Sequence, residues 1–356
     1  VFGKKPRTVK ISVIVSIALS ITIILLILLF TIDVKTFEYL STAPLRYEFF
    51  LAAVFINIFY WFLWGARLKV LSNSIDRNVT ISLWESTKII ITNLFLASIT
   101  PSMAGGEPVR IHLLRKDGLS LGEATASVLG ERLLDALFIL LCVPFAFFVF
   151  KDRITMGFIK TGLSIGIVVF IILVVLFMYT IKNPERTKSI LVFIGTKLNR
   201  FFKKKRSDGR IIDKINTEVD RFHSSMVFFL KGGKKAFIQA GILTVLFWST
   251  GFMIPSMILL GLGLNPFIVE SYAAQVLLIV IIMMPSTPGS AGVAEGGVAT
   301  LYSVIIGASH GYLLGLFVLL FRFITYHMNL IAGAVFQYRI FKSVASFSLD
   351  AIKKQK

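Results

Sequence analysis

The chain has 356 residues, 56% of them hydrophobic, with 33 Phe and a mean hydropathy of +0.81. That is far more apolar material than a soluble core of this length can bury, so a soluble globular protein is excluded and an all-α, polytopic integral membrane domain is expected. The formal charge of +19 would suit nucleic acid in a soluble chain, but here Lys and Arg fall between the apolar runs, where anionic lipid and the positive-inside rule account for them; no nucleic-acid partner is expected.

A membrane-spanning helix needs about 20 mostly apolar residues. The opening "GKKPRTVK" and the apolar run at 11–30 resemble a signal sequence, but no small-residue cleavage site follows, so the run reads as a retained first span. Residues 49–66 form the second, and "FYWFLWGARLK" at 59–69 reads as an aromatic belt at the inner interface, ending in snorkelling cations. The segment 88–100 is too short to span. It breaks at Pro101 into small residues and restarts over 107–116. Residues 124–150, polar at the start and carrying Pro144, and 157–181 are the third and fourth spans.

The segment 182–235 is basic. Ile190, Phe193, Ile194, Leu198 and Phe201 recur at helical spacing, as do Ile211, Ile215, Val219, Phe222 and Met226, which predicts two amphipathic helices on the cytoplasmic surface. A fifth span at 236–260 contains Pro255. Two further short pieces, 269–284 and 293–307, flank a second proline and glycine break, and 311–338 is the sixth span.

The two breaks repeat each other. Thr287-Pro288 and Ala291-Gly292 answer Thr100-Pro101 and Ala104-Gly105 at an offset of 187 positions. The repeat divides a single membrane domain into halves at about 11–181 and 236–340, each with a re-entrant hairpin, 88–116 and 269–307. Broken backbone at membrane depth is tolerable only when buried in protein or lining a wet cavity. Pro101 and Pro288 fix the breaks, while Gly105, Gly106, Gly289 and Gly292 supply unusual dihedrals.

Of the 38 Lys and Arg, 31 fall in the predicted inner segments, 5 in the outer ones and 2, Arg132 and Arg322, within spans. This asymmetry places both termini in the cytoplasm of a cell-membrane protein. It also makes the first hairpin enter from inside and the second from outside, the inverted arrangement that builds a midplane site.

Some residues are not explained by membrane burial. Gly122, Ala126 and Gly130 form a small-residue stripe that permits close helix contact. Glu131 and Asp135, four apart, share a face, with Arg132 about a quarter turn away. In the last span Arg322, Tyr326, Asn329 and Gly333 fall at i, i+4, i+7 and i+11. An intramembrane arginine is a functional candidate; Glu295, Glu131 and Asp135 are the available partners for Arg322, and a purely structural ion pair is the alternative. Glu107 and Glu295 sit where a helix restarts, so each can cap that helix or belong to the site.

One cysteine, Cys142, excludes an intrachain disulfide and a cysteine metal site, and His112, His223, His310 and His327 show no ligand spacing. With no phosphate-binding loop or nucleophile elbow either, no catalytic residue, metal, cofactor or enzymatic activity is expected.

At "TPSMAGGEPVR", "GERLLD", "PSTPGSAGVAEGG" and the arginine of "LLFRFITY", the sequence resembles the flippase-like integral membrane family named for the transmembrane region of lysylphosphatidylglycerol synthase. The similarity covers nearly the whole chain. It implies movement of a lipid or lipid-linked head group, with an anionic phospholipid or polyprenyl phosphate as partner. The soluble aminoacyl-transferase domain of the full synthase is lacking here, so synthase activity is not expected. In this reading Arg132 and Arg322, helped by the half-helix N-termini, hold a phosphate, Glu131, Asp135 and Glu295 balance its charge, meet a cationic head group or carry a coupling proton, and Glu107, Tyr326 and Asn329 line the site. A secondary transporter of a small soluble anion and a non-transporting scaffold are the alternatives.

Overall fold

A computed structural model describes residues 34–151, 178–201, 208–282 and 290–336, apart from 43, 77, 99, 101–105, 181 and 291, together with scattered positions between 22 and 176. Among the described residues the architecture is all-helical. In chain order the helices are α1 (Val34–Thr42), α2 (Tyr47–Ile75), α3 (Leu83–Ser98), α4 (Gly106–Lys116), α5 (Leu121–Phe150), α6 (Pro184–Phe201), α7 (Asp208–Lys231), α8 (Lys234–Phe252), α9 (Ile254–Gly261), α10 (Ile268–Ile282) and α11 (Val293–Ile306). A 3₁₀ turn, Ala308–Leu313, leads into α12 (Leu314–Arg322) and a π-helical turn, Phe323–His327.

Four described helical stretches are long and apolar enough to cross a membrane: α2, α5, α8 with α9, and Ala308–Phe336. The chain is a multi-pass membrane protein. The spans predicted at 11–30 and 157–181 lie largely outside the described residues, as do Pro101, Gly105, Pro288 and Gly289. At about 1.5 Å per residue, the 15 residues of α10 and the 14 of α11 fall short of a hydrocarbon core about 30 Å thick.

Two helices begin earlier than hydropathy predicts. Ser82 and Glu85 form a capping box before α3, with the Ser82 N–H donating to Glu85 Oε2 at 3.1 Å and the Glu85 N–H to Ser82 Oγ at 3.2 Å. These bonds to Ser82 hold the Glu85 carboxyl below its ordinary range. Ser120 and Glu123 do the same for α5, at 2.8 and 3.2 Å. Pro255 lies in the first turn of α9, where its missing N–H breaks the fifth span at Met253, whereas α5 continues through Pro144.

Lipid tails are as apolar as leucine, so helices in a membrane associate through close packing and polar contacts. Small residues provide the approach. A Cβ at Gly65 would overlap Thr87 of α3, one at Gly261 would overlap Phe50 of α2, and one at Gly333 would overlap Phe95 of α3. In this way α2 is gripped by α3, α8 and α9, while α10 lies along α5. The short helices pair as α3 with α4 and α10 with α11. Their restarts keep the sequence offset: α4 begins at Gly106 and α11 at Val293, again 187 apart.

The stripe Gly122, Ala126 and Gly130 serves the amphipathic helix α7. The Gly122 N–H donates to Glu218 Oε2 at 2.8 Å, and Ala126 packs in one buried cluster with Leu71, Met226 and Phe229. A Cβ on Gly122 would meet the Glu218 carbonyl and lie 2.7 Å from both Arg221 Cβ and the Phe222 backbone nitrogen. Gly122→Val is therefore expected to lift α7 from α5 and cost about 1–3 kcal/mol, read as a lower thermal midpoint in detergent and faster amide exchange across 208–231.

The last span carries its own irregularity. A π turn disturbs the regular ladder of backbone hydrogen bonds, and such turns recur at functional sites. Here the Asn57 amide of α2 donates to the Ile324 carbonyl at 2.9 Å. Asn57→Leu removes that donor and is expected to cost about 1–3 kcal/mol, measured as a fall in thermal midpoint.

Candidate functional site

Two polar centres stand inside the helix bundle. The first gathers three arginines and three carboxylates from α2, α4 and α5. Arg67 is 0% exposed, and its Nε donates to Glu131 Oε1 at 3.0 Å. Its Nη1 donates to Asp135 Oδ1 at 2.5 Å and to Thr244 Oγ1 at 3.1 Å. The i, i+4 spacing of Glu131 and Asp135 lets one guanidinium bridge both. Arg110 of α4, also buried, pairs with Glu131. Arg132 reaches Glu107 at 2.5 Å and Asp135 at 3.3 Å, with 36% of its side chain exposed. The Trp64 ring lies 5.4–6.0 Å from all three guanidinium carbons, close enough for cation–π attraction.

This arrangement corrects the sequence reading of "FYWFLWGARLK". Arg67 does not snorkel to the interface, because α2 continues to Ile75 and delivers the guanidinium to Glu131 and Asp135 instead. Moving Arg67 and Arg110, both fully buried, out of the inner count leaves 29 Lys and Arg in the predicted inner segments against 5 in the predicted outer ones. The Arg132 side chain, although a quarter turn off the acidic face, bends back to Asp135 three positions on.

The second centre lies where the last span meets α11. Arg322 Nε donates to Glu295 Oε1 at 2.9 Å, and the Gly292 N–H donates to Glu295 Oε2 at 2.7 Å. Glu295 therefore both caps α11 and pairs with the arginine, joining two roles the sequence left as alternatives. Gly292 holds φ +88°, a left-handed conformation that favours glycine. The Arg322 guanidinium carbon sits 4.2 Å from the Tyr326 ring centroid.

Arg322 is 6% exposed, and its Nη2 has no hydrogen-bond partner among the described residues. It borders a cavity of about 190 Å³ whose polar lining includes Asn57, Gln275, Thr325, Tyr326 and Asn329. Most of these groups are already engaged. Trp61 Nε1 donates to Asn329 Oδ1 at 2.9 Å, Asn329 Nδ2 to the Thr325 carbonyl at 2.5 Å and the Tyr326 hydroxyl to the Ser98 carbonyl at 3.2 Å. One face of the last span thus touches the end of α3 through Tyr326 and the start of α11 through Arg322.

Tyr60 and Trp248 stand between the two centres. Both line the cavity. The Trp248 indole N–H donates to Asp135 Oδ1 at 2.9 Å, and the Tyr60 ring stacks on Phe247 at 4.2 Å, itself 4.8 Å from the Arg67 guanidinium carbon.

The family model described as lysylphosphatidylglycerol synthase TM region matches residues 13–333. The chain belongs to this family. Among its relatives, a UPF0104 membrane protein of Archaeoglobus fulgidus is 33% identical over 297 residues, covering 82% of this chain and 87% of the relative. A UPF0104 membrane protein of Methanothermobacter thermautotrophicus is 25% identical over 275 residues, covering 74% and 76%. No solved structure matches the chain.

In this member of the lysylphosphatidylglycerol synthase TM region family, the residues singled out by sequence divide between the centres. Glu107, Glu131, Arg132 and Asp135 join the first; Gly292, Glu295, Arg322, Tyr326 and Asn329 join the second. Gly106 opens α4 with its Cα close to the Asn93 side-chain amide, leaving no space for a Cβ. Sequence reasoning missed Arg67, Arg110, Asn57, Tyr60 and Trp248. Arg110 had a visible signal, a charge within "EPVRIHLL" of a short membrane-depth helix; Tyr60 and Trp248 had none beyond aromatic belts.

Proposed function

We propose that the chain is a lipid flippase or transporter that moves a phospholipid or polyprenyl phosphate head group across the cell membrane, without chemical conversion of the lipid. The observation that carries this reading is Arg322, a buried cation whose Nη2 has no hydrogen-bond partner among the described residues, on the lining of a cavity shared by α2, α3, α8, α10, α11 and the last span. A buried charge is costly unless paired, and an open donor beside a cavity suits an incoming anion. Arg322 is the head-group contact. Arg132, partly exposed beyond the Tyr60–Trp248 partition, is the second contact met along the way, while Arg67 and Arg110 lock the helices.

In the full arrangement six helices span the membrane, both termini are cytoplasmic, and α3–α4 and α10–α11 are inverted re-entrant hairpins. The charge asymmetry and the 187-residue offset support that topology. A head group passes through the polar interior while its chains stay in lipid. The modest cavity, about 190 Å³, also favours a second reading, a secondary transporter of a small soluble anion.

Reconstitution into vesicles tests the reading. Fluorescent phospholipids and polyprenyl phosphates are expected to cross faster with protein than in empty vesicles. Folded protein that moves no lipid but drives gradient-dependent anion uptake would support the second reading instead.

A further inference from the structure

We infer that the Arg322–Glu295 pair binds a proton together with the phosphate, so that each anion accepted at Arg322 draws a proton from solution onto Glu295. The inference rests on the reading of Arg322 as the phosphate contact and adds the co-transported ion. Glu295 is fully buried and shares the guanidinium through Nε, while Nη2 of the same guanidinium has no hydrogen-bond partner among the described residues. A phosphate accepted at Nη2 thus lies within the roughly 4–6 Å at which a like charge strongly favours protonation of a carboxylate. Whatever else Glu295 touches, the arriving phosphate adds negative charge beside it in a low-dielectric interior, and a proton removes that repulsion. Neutral Glu295 can still accept the Gly292 N–H through one oxygen.

The other titratable groups facing the pair are Tyr326 and His327 on the last span and Tyr60 on α2, with Asp135 and Arg67 beyond Trp248. His327 Nδ1 meets the Arg322 carbonyl at 3.2 Å, and its Nε2 is buried without a hydrogen-bond partner among the described residues, so it is the competing proton acceptor. On α10 the cavity lining supplies Gln275, which is not ionisable.

The direction follows from linkage. If binding takes up a proton, affinity rises as pH falls, by up to about tenfold per pH unit when one whole proton is taken up. The experiment is calorimetric titration of purified protein in detergent with short-chain phosphatidylglycerol, a phosphodiester whose own charge is constant between about pH 5.5 and 8. Repeating it in two buffers of different ionisation enthalpy counts the protons in the wild type, independently of any variant. The expected result is tighter binding at lower pH with proton uptake approaching one, pH-independent binding in Glu295→Gln, and unchanged pH dependence in His327→Gln. Binding with no pH dependence and no proton uptake overturns the inference while leaving the phosphate site standing. Loss of the pH dependence in His327→Gln overturns it too, by moving the proton elsewhere. No binding at any pH overturns both the inference and the reading beneath it.

Discussion

Arg67→Ala is expected to destabilise the protein by about 3–5 kcal/mol, because it leaves Glu131 and Asp135 buried without their shared cation. Arg67 is 0% exposed and bonds to both carboxylates and to Thr244, so its truncation removes the cation from a buried junction of α2, α5 and α8. Arg110 still neutralises part of Glu131, and Arg132 part of Asp135, which keeps the loss from being larger. The check is the thermal midpoint of the detergent-solubilised protein, with Arg67→Lys beside it. Lysine keeps the charge but not the planar fork that spans two carboxylates, so it should recover only part of the loss. A midpoint for Arg67→Ala within a degree of wild type would mean that the three-arginine centre does not hold the helices.

Arg322→Gln is expected to slow lipid translocation roughly ten- to hundredfold, the worth of a charge-assisted hydrogen bond of about 1.5–3 kcal/mol. The same change removes a partner from buried Glu295, so stability and transport must be separated. The double variant Arg322→Gln with Glu295→Gln replaces a charge pair by two amides of similar size and should recover thermal stability while remaining defective in transport. Vesicle translocation rates and thermal midpoints for wild type, single and double variants provide the comparison. Recovery of transport in the double variant would make the arginine a structural partner only.

Much of this arrangement was legible because certain spacings leave little choice. The i, i+4 pair Glu131 and Asp135 had to share a face, and one arginine does bridge them. The face Arg322, Tyr326, Asn329 and Gly333 is the face that meets α3, α2 and α11. Glu295 was a nameable partner for Arg322 because it is the acidic residue at the restart of the second short pair. The helix starts were missed for a physical reason. An apolar window begins where polar residues stop, whereas α3 and α5 are capped by Ser82 and Ser120, each with a glutamate three residues on whose carboxylate closes the cap.

Arg67 was misread because tryptophan and tyrosine followed by a cation looks the same at an interface and in mid-helix. The continuation "LKVLSNSI" to Ile75 is what distinguishes them. Pairs such as Arg110 with Glu131, Arg132 with Glu107, and Trp248 with Asp135 depend on how α4 and α8 lie against α5. No periodicity within one segment encodes that.

The gap between the two centres has a mechanistic side. Trp248 holds Asp135 with its N–H and lines the Arg322 cavity, so a single side chain touches both centres. Trp248→Phe preserves most of the ring and removes the bond. About 1.5–3 kcal/mol is at stake when a hydrogen bond to a charged group is lost, and the expected result is altered translocation with a smaller loss of stability than Arg67→Ala causes. Parallel rate and melting measurements check it.

In the proposed function a lipid phosphate sits at Arg322. Native mass spectrometry of the protein released from detergent tests this most directly, with wild type and the Arg322→Gln, Glu295→Gln double variant compared under the same conditions. The wild type is expected to retain a phosphate-bearing lipid that is largely absent from the double variant. Equal retention by both proteins, or a wild type that carries no phosphate-bearing species while remaining folded, would contradict it.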